Sequence, residues 1–229
     1  MIGIIGAMEK EVATLLSRLE GRAAREICGI TYHTGTLEGQ EVVVARAGIG
    51  KVNAALCAQT MILSFSPTLI LNTGVAGALA PDLDVGDCIV ATCYVQHDMD
   101  TTAFGDPAGL LSVGGRELVE LPADEAAAAR LLAAAQQVGL RARYGKLASG
   151  DQFISRQEQK ERISHLFAAD GCEMEGAAIA HAACAAGVPV CSLRVLSDRA
   201  DGEAQVDYPT FVTQAAEKSA EATLAFLRL

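Results

Sequence analysis

The sequence predicts an α/β fold, a three-layer α/β/α sandwich with a central mixed β-sheet, and three observations support this prediction. Short apolar runs alternate along the chain with longer segments of helical periodicity, an order typical of sheets covered by helices. Several of the runs are apolar without interruption, as expected for strands buried on both faces. The turn signal LEGQ divides two β-rich runs within residues 29–46 and adds a hairpin to the sheet.

The first half of the chain supplies strands and helices in turn. Residues 1–6 (MIGIIG) are apolar and predict a buried strand. Helical spacing of the apolar residues predicts a helix over 9–20. The hairpin follows, and then a helix over 51–65. TLILNTG at 68–74 and GDCIVATC at 86–93 predict two more strands.

The second half begins with a segment that has no clear period. Residues 94–122 are polar and contain several glycines, so they form either a functional loop or part of an interface. Ser155 and Glu158 have capping-box spacing for a helix after the next strand. The other expected elements are a helix at 124–138, a strand at 143–149, a helix at 174–187, a central strand at 188–198 and a closing helix at 210–228.

The composition limits the class of protein. The 229 residues are 51% hydrophobic, enough for a full core, and they contain no repeat or linker, so we expect one domain over 1–229. The formal net charge of −10 argues against nucleic acid and against an anionic membrane surface as partners. Seven cysteines without a CxxC pair, and no signal or membrane-spanning run, predict a cytoplasmic protein.

Acidic residues follow or precede the expected strands, where ligands gather in α/β sheets. Glu9 and Glu11 follow the first strand, Glu173 and Glu175 precede an apolar helix, and Asp198 ends the strongest apolar strand. Helical residues two apart point to different sides, so one acid of each pair is expected to face a pocket. Helix capping and the helix dipole are one explanation of these acids. Alternatively they perform acid–base chemistry, in which burial would raise the pKa of Asp198 and let it donate a proton.

Other classes of site have weaker support. A metal cluster is the rival to acid–base chemistry, but the clearest DxD spacings, at 82–84 and 98–100, fall in loops. No Cys or His pair has zinc-ligand spacing, so no metal is expected. The chain has no Walker loop and no GxSxG elbow. GVAG at 74–77 is too short for a dinucleotide fingerprint and is better explained as a strand-to-helix turn. Among the histidines, only His97 in the long loop is a candidate.

Eight stretches, in order over nearly the whole chain, match one known family. They are IGIIGAMEKEV at 2–12, AGIGKVNAA at 47–55, NTGVAGALAP at 72–81, VGD at 85–87, HDMDTTAFG at 97–105, SGDQFI at 149–154, EMEGAAIAH at 173–181 and RVLSD at 194–198. Through these stretches the chain resembles the bacterial 5′-methylthioadenosine/S-adenosylhomocysteine nucleosidases of the purine nucleoside phosphorylase superfamily. The resemblance implies a nucleoside phosphorylase-like fold. It also implies hydrolysis of the bond between adenine and a 5′-thio-substituted ribose, with no cofactor.

The resemblance further implies a role for individual residues. Asp198 would protonate adenine N7, Glu11 would orient and deprotonate the attacking water, and Glu175 would bind the ribose hydroxyls. Phe153 would stack on the base, whose edge the Ile154 main chain would contact. The remaining implied substrate-binding residues are Met8, Ile49, Val75, Met174, Arg194, Ser197 and Tyr208. Of these, Met174 would pack on the sugar, and Arg194 would help to hold the water and Glu175.

The same resemblance implies a homodimer, in which Thr101 and Phe104 would reach into the neighbouring subunit's site. Two positions depart from the family pattern. Val75 stands where Ser is common, and Tyr208 stands where Phe is common. Both changes bear on the preferred 5′ substituent more than on the reaction.

Three alternative functions remain open from the sequence. A phosphorolytic enzyme of the same superfamily would need cations for phosphate, but AMEKE at 7–11 supplies acids after the first strand. Cleavage of aminodeoxyfutalosine, which also presents adenine, is not separated from the main hypothesis. A nucleoside-binding sensor would keep Phe153 but would have no need of three acids.

Overall fold

The computed structural model describes residues 1–201 and 203–229. Within these residues, ten strands join in one mixed sheet: β1 (Ile2–Gly6), β2 (Glu20–Ile27), β3 (Ile30–Leu37), β4 (Gln40–Arg46), β5 (Leu69–Ala78), β6 (Cys88–Gln96), β9 (Leu121–Pro122), β10 (Ala142–Ser149), β11 (Gly171–Glu173) and β12 (Val190–Asp198). A separate hairpin comprises β7 (Leu111–Val113) and β8 (Arg116–Leu118). The helices are α1 (Glu9–Ser17), α2 (Lys51–Phe65), α3 (Glu125–Gln137), α4 (Gln157–Phe167), α5 (Gly176–Ala186) and α6 (Ala204–Arg228).

The spatial order of the sheet is β11-β10-β6-β12-β5-β1-β4-β3-β2, with β9 beside β6. Strands β1, β4, β5 and β12 run parallel to one another, whereas β12 is antiparallel to β6. Strand β11 pairs in parallel with β10 and antiparallel with β5. The five strands β5, β12, β6, β10 and β11 therefore close on themselves, and β1-β4-β3-β2 extends outward as an open sheet.

Helices cover both faces of this sheet. On one face α6 packs on β5 and β12, with α1 and α3 beside it. On the other face α2 and α5 pack together, α5 over the closed strands and α2 over β1 and β4. The predicted three-layer α/β/α fold with a mixed sheet is confirmed. In the described residues, none of these helices is long and apolar enough to cross a bilayer.

Most expected elements lie within two residues of their observed bounds, but several differ. Helix α1 ends at Ser17 and not at 20, because the chain enters β2 at Glu20. Strand β2 (EGRAAREI) was missed, since it is a polar, exposed edge strand held only by β3. The segment expected to be loop over 94–122 contains three short strands and a 3₁₀ turn, each too short to leave a periodic pattern.

Strand β5 continues through the GVAG stretch, so the expected strand-to-helix turn at 74–77 is wrong. Strand β6 likewise extends to Gln96. The expected capping box is also wrong, because α4 begins at Gln157 with Arg156 as its N-cap and no side-chain cap bond. Helix α6 begins at Ala204, six residues before the expected start. It contains Pro209, whose missing N–H removes one helical hydrogen bond near the N-terminus.

Candidate active site

A cleft opens where the carboxyl ends of β1, β5 and β12 meet the start of α5. Because these strands are parallel neighbours, the residues after them share one edge of the sheet. The space between its walls, together with the adjoining solvent at its mouth, is about 460 Å³. Its lining is Ala7, Met8, Glu11, Ile49, Val75, Ala76, Gly77, Phe153, Cys172, Glu173, Met174, Glu175, Ser197, Asp198 and Tyr208. The structure thus brings Glu11, Glu175 and Asp198 together.

Glu11 folds back from the first turn of α1 into the cleft. Its carboxylate accepts hydrogen bonds from the backbone N–H groups of Ala7 at 2.7 Å, Met8 at 2.8 Å and Val75 at 3.2 Å. Burial raises the pKa of Glu11, against the lowering effect of Arg194 and of these N–H groups. Glu9 points to solvent and pairs with Arg46 at 3.4 Å. Only one acid of this pair faces the pocket, as the helical spacing predicts.

Glu175 is the N-cap residue of α5, and its side chain faces the cleft. Its carboxylate accepts a hydrogen bond from the Gly50 N–H at 2.8 Å. Burial, and next the negative charge of Glu173, raise the pKa of Glu175 to about 8. The side chain is only 8% exposed. An acid with this pKa holds its proton in the empty cleft near neutral pH.

Glu173 is as buried as Glu175, so the second acid does not reach solvent. It accepts hydrogen bonds from the N–H groups of Glu175 at 3.0 Å and Gly176 at 2.7 Å, and from the Ser149 hydroxyl. Arg194 Nη2 donates to it at 2.7 Å. Burial acts to raise the pKa of Glu173, but the Arg194 charge and the hydrogen bonds together hold it below its ordinary value. Glu173 is thus an ionised structural partner.

Arg194 lies beneath the cleft and does not line it. The resemblance implied that Arg194 holds Glu175, but its direct ion pair is with Glu173. Its guanidinium also donates to the side-chain and main-chain oxygens of Asn72. Arg194 therefore acts on Glu175 and Glu11 through its charge, and on the shape of the cleft through Glu173.

Asp198 is held at the end of β12 by its neighbours in the chain. Its carboxylate accepts from the Ser197 hydroxyl at 2.9 Å and from the Ala200 N–H at 2.9 Å. The side chain is 2% exposed, and burial raises its pKa in spite of these bonds. A Cβ added at Gly77 would lie 2.7 Å from Asp198 Oδ1. Glycine at this position of β5 therefore gives the carboxyl its space.

Aromatic side chains form the outer wall. Phe153 and Tyr208 meet edge to face, with ring centroids 5.3 Å apart. The Tyr208 hydroxyl donates to the sulfur of Met8 at 3.2 Å. Ile49 lies on the rim and is largely exposed, as is nearly half of Phe153. This wall offers a flat apolar face for a planar ring and one polar hydroxyl.

A smaller recess adjoins the cleft and shares several of its lining residues. It is lined by Gly77, Gln152, Phe153, Ile154, Cys172, Glu173, Met174 and Asp198. It brings Ile154 and Met174, both expected from the resemblance, next to Asp198. Val75 lines the main cleft, where its N–H holds Glu11 and its side chain is apolar.

Two expected residues lie outside the cleft of this chain. Thr101 and Phe104 belong to the segment after β6, and the Phe104 side chain is 88% exposed. Neither lines a cleft in the described residues of the single chain. His97 is buried in the same segment and lines a separate surface pocket with Asp98 and Asp100.

Sequence reasoning missed several residues of the site. Gly50 was not singled out, although AGIGK places it directly before α2. Gly77 was assigned to a turn, and Cys172 was not singled out. Their roles depend on contacts between residues far apart in the chain, for which a single sequence gives no signal beyond the glycines themselves.

Comparisons with known proteins agree with this geometry. A family model described as the phosphorylase superfamily matches residues 1–228. An aminodeoxyfutalosine nucleosidase of Campylobacter jejuni is 40% identical over 97% of this chain and 96% of its own. A 5′-methylthioadenosine/S-adenosylhomocysteine nucleosidase of Staphylococcus aureus is 38% identical over 99% of both chains.

A solved structure extends the agreement to three dimensions. The nucleosidase of the same name from S. pneumoniae, solved with a transition-state inhibitor, superposes with a TM-score of 0.92. It is 36% identical, and the match covers 99% of this chain and 98% of that one.

The chain belongs to the 5′-methylthioadenosine/S-adenosylhomocysteine nucleosidases of the phosphorylase superfamily.

Membership of this nucleosidase family confirms the predicted resemblance and the predicted enzyme class. The protein is an N-glycosyl hydrolase, and the non-catalytic sensor is not supported. The acids of the cleft can therefore be interpreted as parts of a nucleosidase active site.

Proposed function

We propose that the protein hydrolyses the N-glycosidic bond of 5′-methylthioadenosine and S-adenosylhomocysteine, releasing adenine and the 5-thio-substituted ribose. One observation carries the proposal: four buried carboxyl groups line one cleft beside an aromatic wall. Glu173 is paired with Arg194, which leaves Glu11, Glu175 and Asp198 for chemistry. Hydrolysis of a glycosidic bond uses one carboxyl for the leaving group and another for water. The named substrates of the S. aureus and S. pneumoniae relatives support this choice.

Asp198 is the general acid in this proposal. Burial raises its pKa, which favours the protonated form that can donate, and the adjoining recess beside Phe153 accepts the base. The C1′–N9 bond breaks with its electron pair going to the purine, while Asp198 delivers its proton to N7. The purine then departs as neutral adenine, a much better leaving group than the anion.

Glu11 is the general base and Glu175 holds the sugar. Three N–H groups fix the Glu11 carboxylate, so it can orient a water and take its proton as the oxygen bonds to C1′. Glu175 accepts from the ribose hydroxyls. The sugar becomes cation-like in the transition state, so the nearby Glu11 carboxylate also stabilises it electrostatically.

Water, and not phosphate, is the nucleophile. Among the described residues that line the cleft there is no Lys or Arg, and Arg194 is committed to Glu173. A phosphate dianion would meet carboxylates without a free cation. We expect adenine release from 5′-methylthioadenosine, followed by ultraviolet absorbance, to proceed equally fast with and without phosphate. A strict requirement for phosphate would overturn the proposal.

Aminodeoxyfutalosine is a second candidate substrate. The observation that favours it is the 40% identity with the C. jejuni aminodeoxyfutalosine nucleosidase. The adenine and ribose subsites would serve both substrates, so only the 5′ end discriminates. Comparing kcat/KM for 5′-methylthioadenosine, S-adenosylhomocysteine and aminodeoxyfutalosine decides which one the protein prefers.

We also propose that the enzyme is a cytoplasmic homodimer in which Thr101 and Phe104 complete the partner's cleft. The support is an apolar stripe exposed on one face of α2, together with the exposed Phe104. Val52, Leu56 and Leu63 form this stripe and are 69%, 58% and 74% exposed. Apolar residues at this spacing share one helical face, and such a face is typical of an interface.

A further inference from the structure

The orientation of Glu175 depends on one backbone group. In the described part of the chain, the Gly50 N–H is the one protein donor to its carboxylate, at 2.8 Å. Gly50 has φ of 97° and directly precedes α2, for which it provides no side-chain cap. A buried carboxyl held by a single N–H keeps its direction only if that N–H is itself fixed.

Three residues close a ring of hydrogen bonds beside Gly50. The Lys51 N–H donates to Asp151 Oδ1 at 2.7 Å, and the Asp151 N–H donates to Asp98 Oδ2 at 2.9 Å. Lys51 Nζ closes the ring by donating to Asp98 Oδ1 at 2.6 Å. We call this set the Lys51–Asp98–Asp151 ring.

The ring joins three segments that are distant in sequence. Lys51 begins α2, Asp98 follows β6, and Asp151 follows β10. The side chains of Lys51 and Asp98 are only 19% and 17% exposed, so this ion pair is shielded from water and from salt. Gln96 accepts a further bond from Lys51 Nζ at 3.1 Å. The start of α2, and with it the Gly50 N–H, is therefore fixed from outside its own helix.

We propose that Asp98, through the Lys51–Asp98–Asp151 ring, is a positioning residue for Glu175 and hence for recognition of the ribose hydroxyls. Asp98 touches no substrate atom in this scheme. Both carboxylate oxygens of Asp98 accept from donors, one from an ammonium group and one from a backbone N–H. The inference rests on the proposed function, in which Glu175 binds the ribose.

The test is Asp98→Asn, because an amide must turn its NH₂ group toward one of the two donors and so breaks the ring. We expect kcat/KM for 5′-methylthioadenosine to fall about ten-fold, the scale of a misplaced binding group. For 2′-deoxy-5′-methylthioadenosine the loss should be below about three-fold, since part of the Glu175 contact is already absent. Lys51→Met breaks the same ring from the other side and should give the same pattern.

A double-mutant cycle separates positioning from general damage. In a Glu175→Gln background, Asp98→Asn should cost less than about three-fold, because coupled residues are not additive. Glu120→Gln is the matched control, since it breaks a Lys146–carboxylate pair of 2.5 Å outside the cleft, and it should leave both substrates unaffected. Thermal unfolding of each variant verifies the fold.

The experiment distinguishes failure of the positioning role of Asp98 from failure of the proposed function. If the wild-type enzyme releases adenine but the Asp98→Asn loss is equal in both backgrounds and for both substrates, the positioning role is wrong and the proposed function stands. If the wild-type enzyme releases no adenine from 5′-methylthioadenosine, the proposed function fails and this inference fails with it.

Discussion

Asp198 illustrates how the surroundings of one residue give it a chemical role. Its side chain is 2% exposed, with Ser197 and Ala200 as its only donors in the described residues. Its position at the end of an apolar strand is visible in the sequence, and so is the expected rise in its pKa. The sequence does not reveal that a glycine on β5 leaves room for the carboxyl.

Asp198→Asn tests the general acid. Asparagine has the same shape and can keep the Ala200 contact, so we expect the fold and ligand binding to persist. Turnover should fall by at least about 10²-fold, because proton donation to the leaving base is lost. Steady-state adenine release and calorimetric binding of a substrate analogue measure the two effects. Near-normal turnover would remove Asp198 from this role.

Glu175 makes the stability of the protein depend on pH. Its pKa is raised from about 4.5 to about 8 by burial and by Glu173, so the folded state holds this proton more tightly than the unfolded state. The resulting contribution to stability is complete below pH 4.5 and is lost as pH rises to about 8. Glu175→Gln should therefore unfold at a higher temperature than wild type at pH 8, and the difference should shrink toward pH 5. A pH-independent difference would contradict the raised pKa.

At the scale of elements, helices and strands with a long apolar pattern could be predicted from the sequence, and short or polar strands could not. Helix α2 and the strands β1, β10 and β12 have enough apolar periodicity to be located from sequence. Strand β11 has three residues, and β2 is polar on both faces, so each exists through its partner strands rather than its own pattern. The sequence predicted a turn at the glycines of β5. These glycines instead leave space for side chains from α1 and β12, and those contacts are not visible in the sequence.

Gly74→Ala tests whether a glycine of β5 is needed to leave space for Glu11. An added Cβ would overlap Glu11 Oε1 and displace the proposed base from its three N–H donors. We expect turnover to fall about 10²-fold, the scale of a displaced catalytic group. Gly114→Ala in the β7–β8 turn is the control: Gly114 also has a positive φ, of 57°, so alanine is strained there too, but its Cβ would meet nothing within 4 Å. If the two variants turned over equally well, the packing of β5 on Glu11 would not matter for catalysis.

At the scale of the whole molecule, the single chain leaves the α2 stripe and Phe104 uncovered. The sequence suggested a dimer only by resemblance, because the apolar stripe of α2 cannot be distinguished from a core-facing helical face until the fold is known. The fold and the cleft acids were largely predictable. The contacts of Gly50 and Arg194 were not, since they join residues more than a hundred positions apart.

Leu63→Glu tests the proposed dimer, and Phe104→Ala tests its contribution to the cleft. A charge in the α2 stripe should shift sedimentation toward the monomer, because it would be buried without a partner. Phe104→Ala should remain dimeric but raise KM for 5′-methylthioadenosine about ten-fold, through loss of apolar contact with the 5′ group. Leu229→Glu, at an exposed position after α6, should change neither property. A wild-type monomer with full activity would contradict the proposal.

The closed circuit of β5, β12, β6, β10 and β11 determines which part of the enzyme opens locally. A strand in a closed circuit cannot peel away from a free edge, so the floor that carries Asp198 should be among the last regions to exchange amide hydrogen for deuterium. Any change of shape on substrate binding should then lie in the rim, at Ile49, Phe153 and Tyr208, while the β-sheet beneath stays rigid. Rapid exchange along β12 in the native protein would show that this floor opens after all.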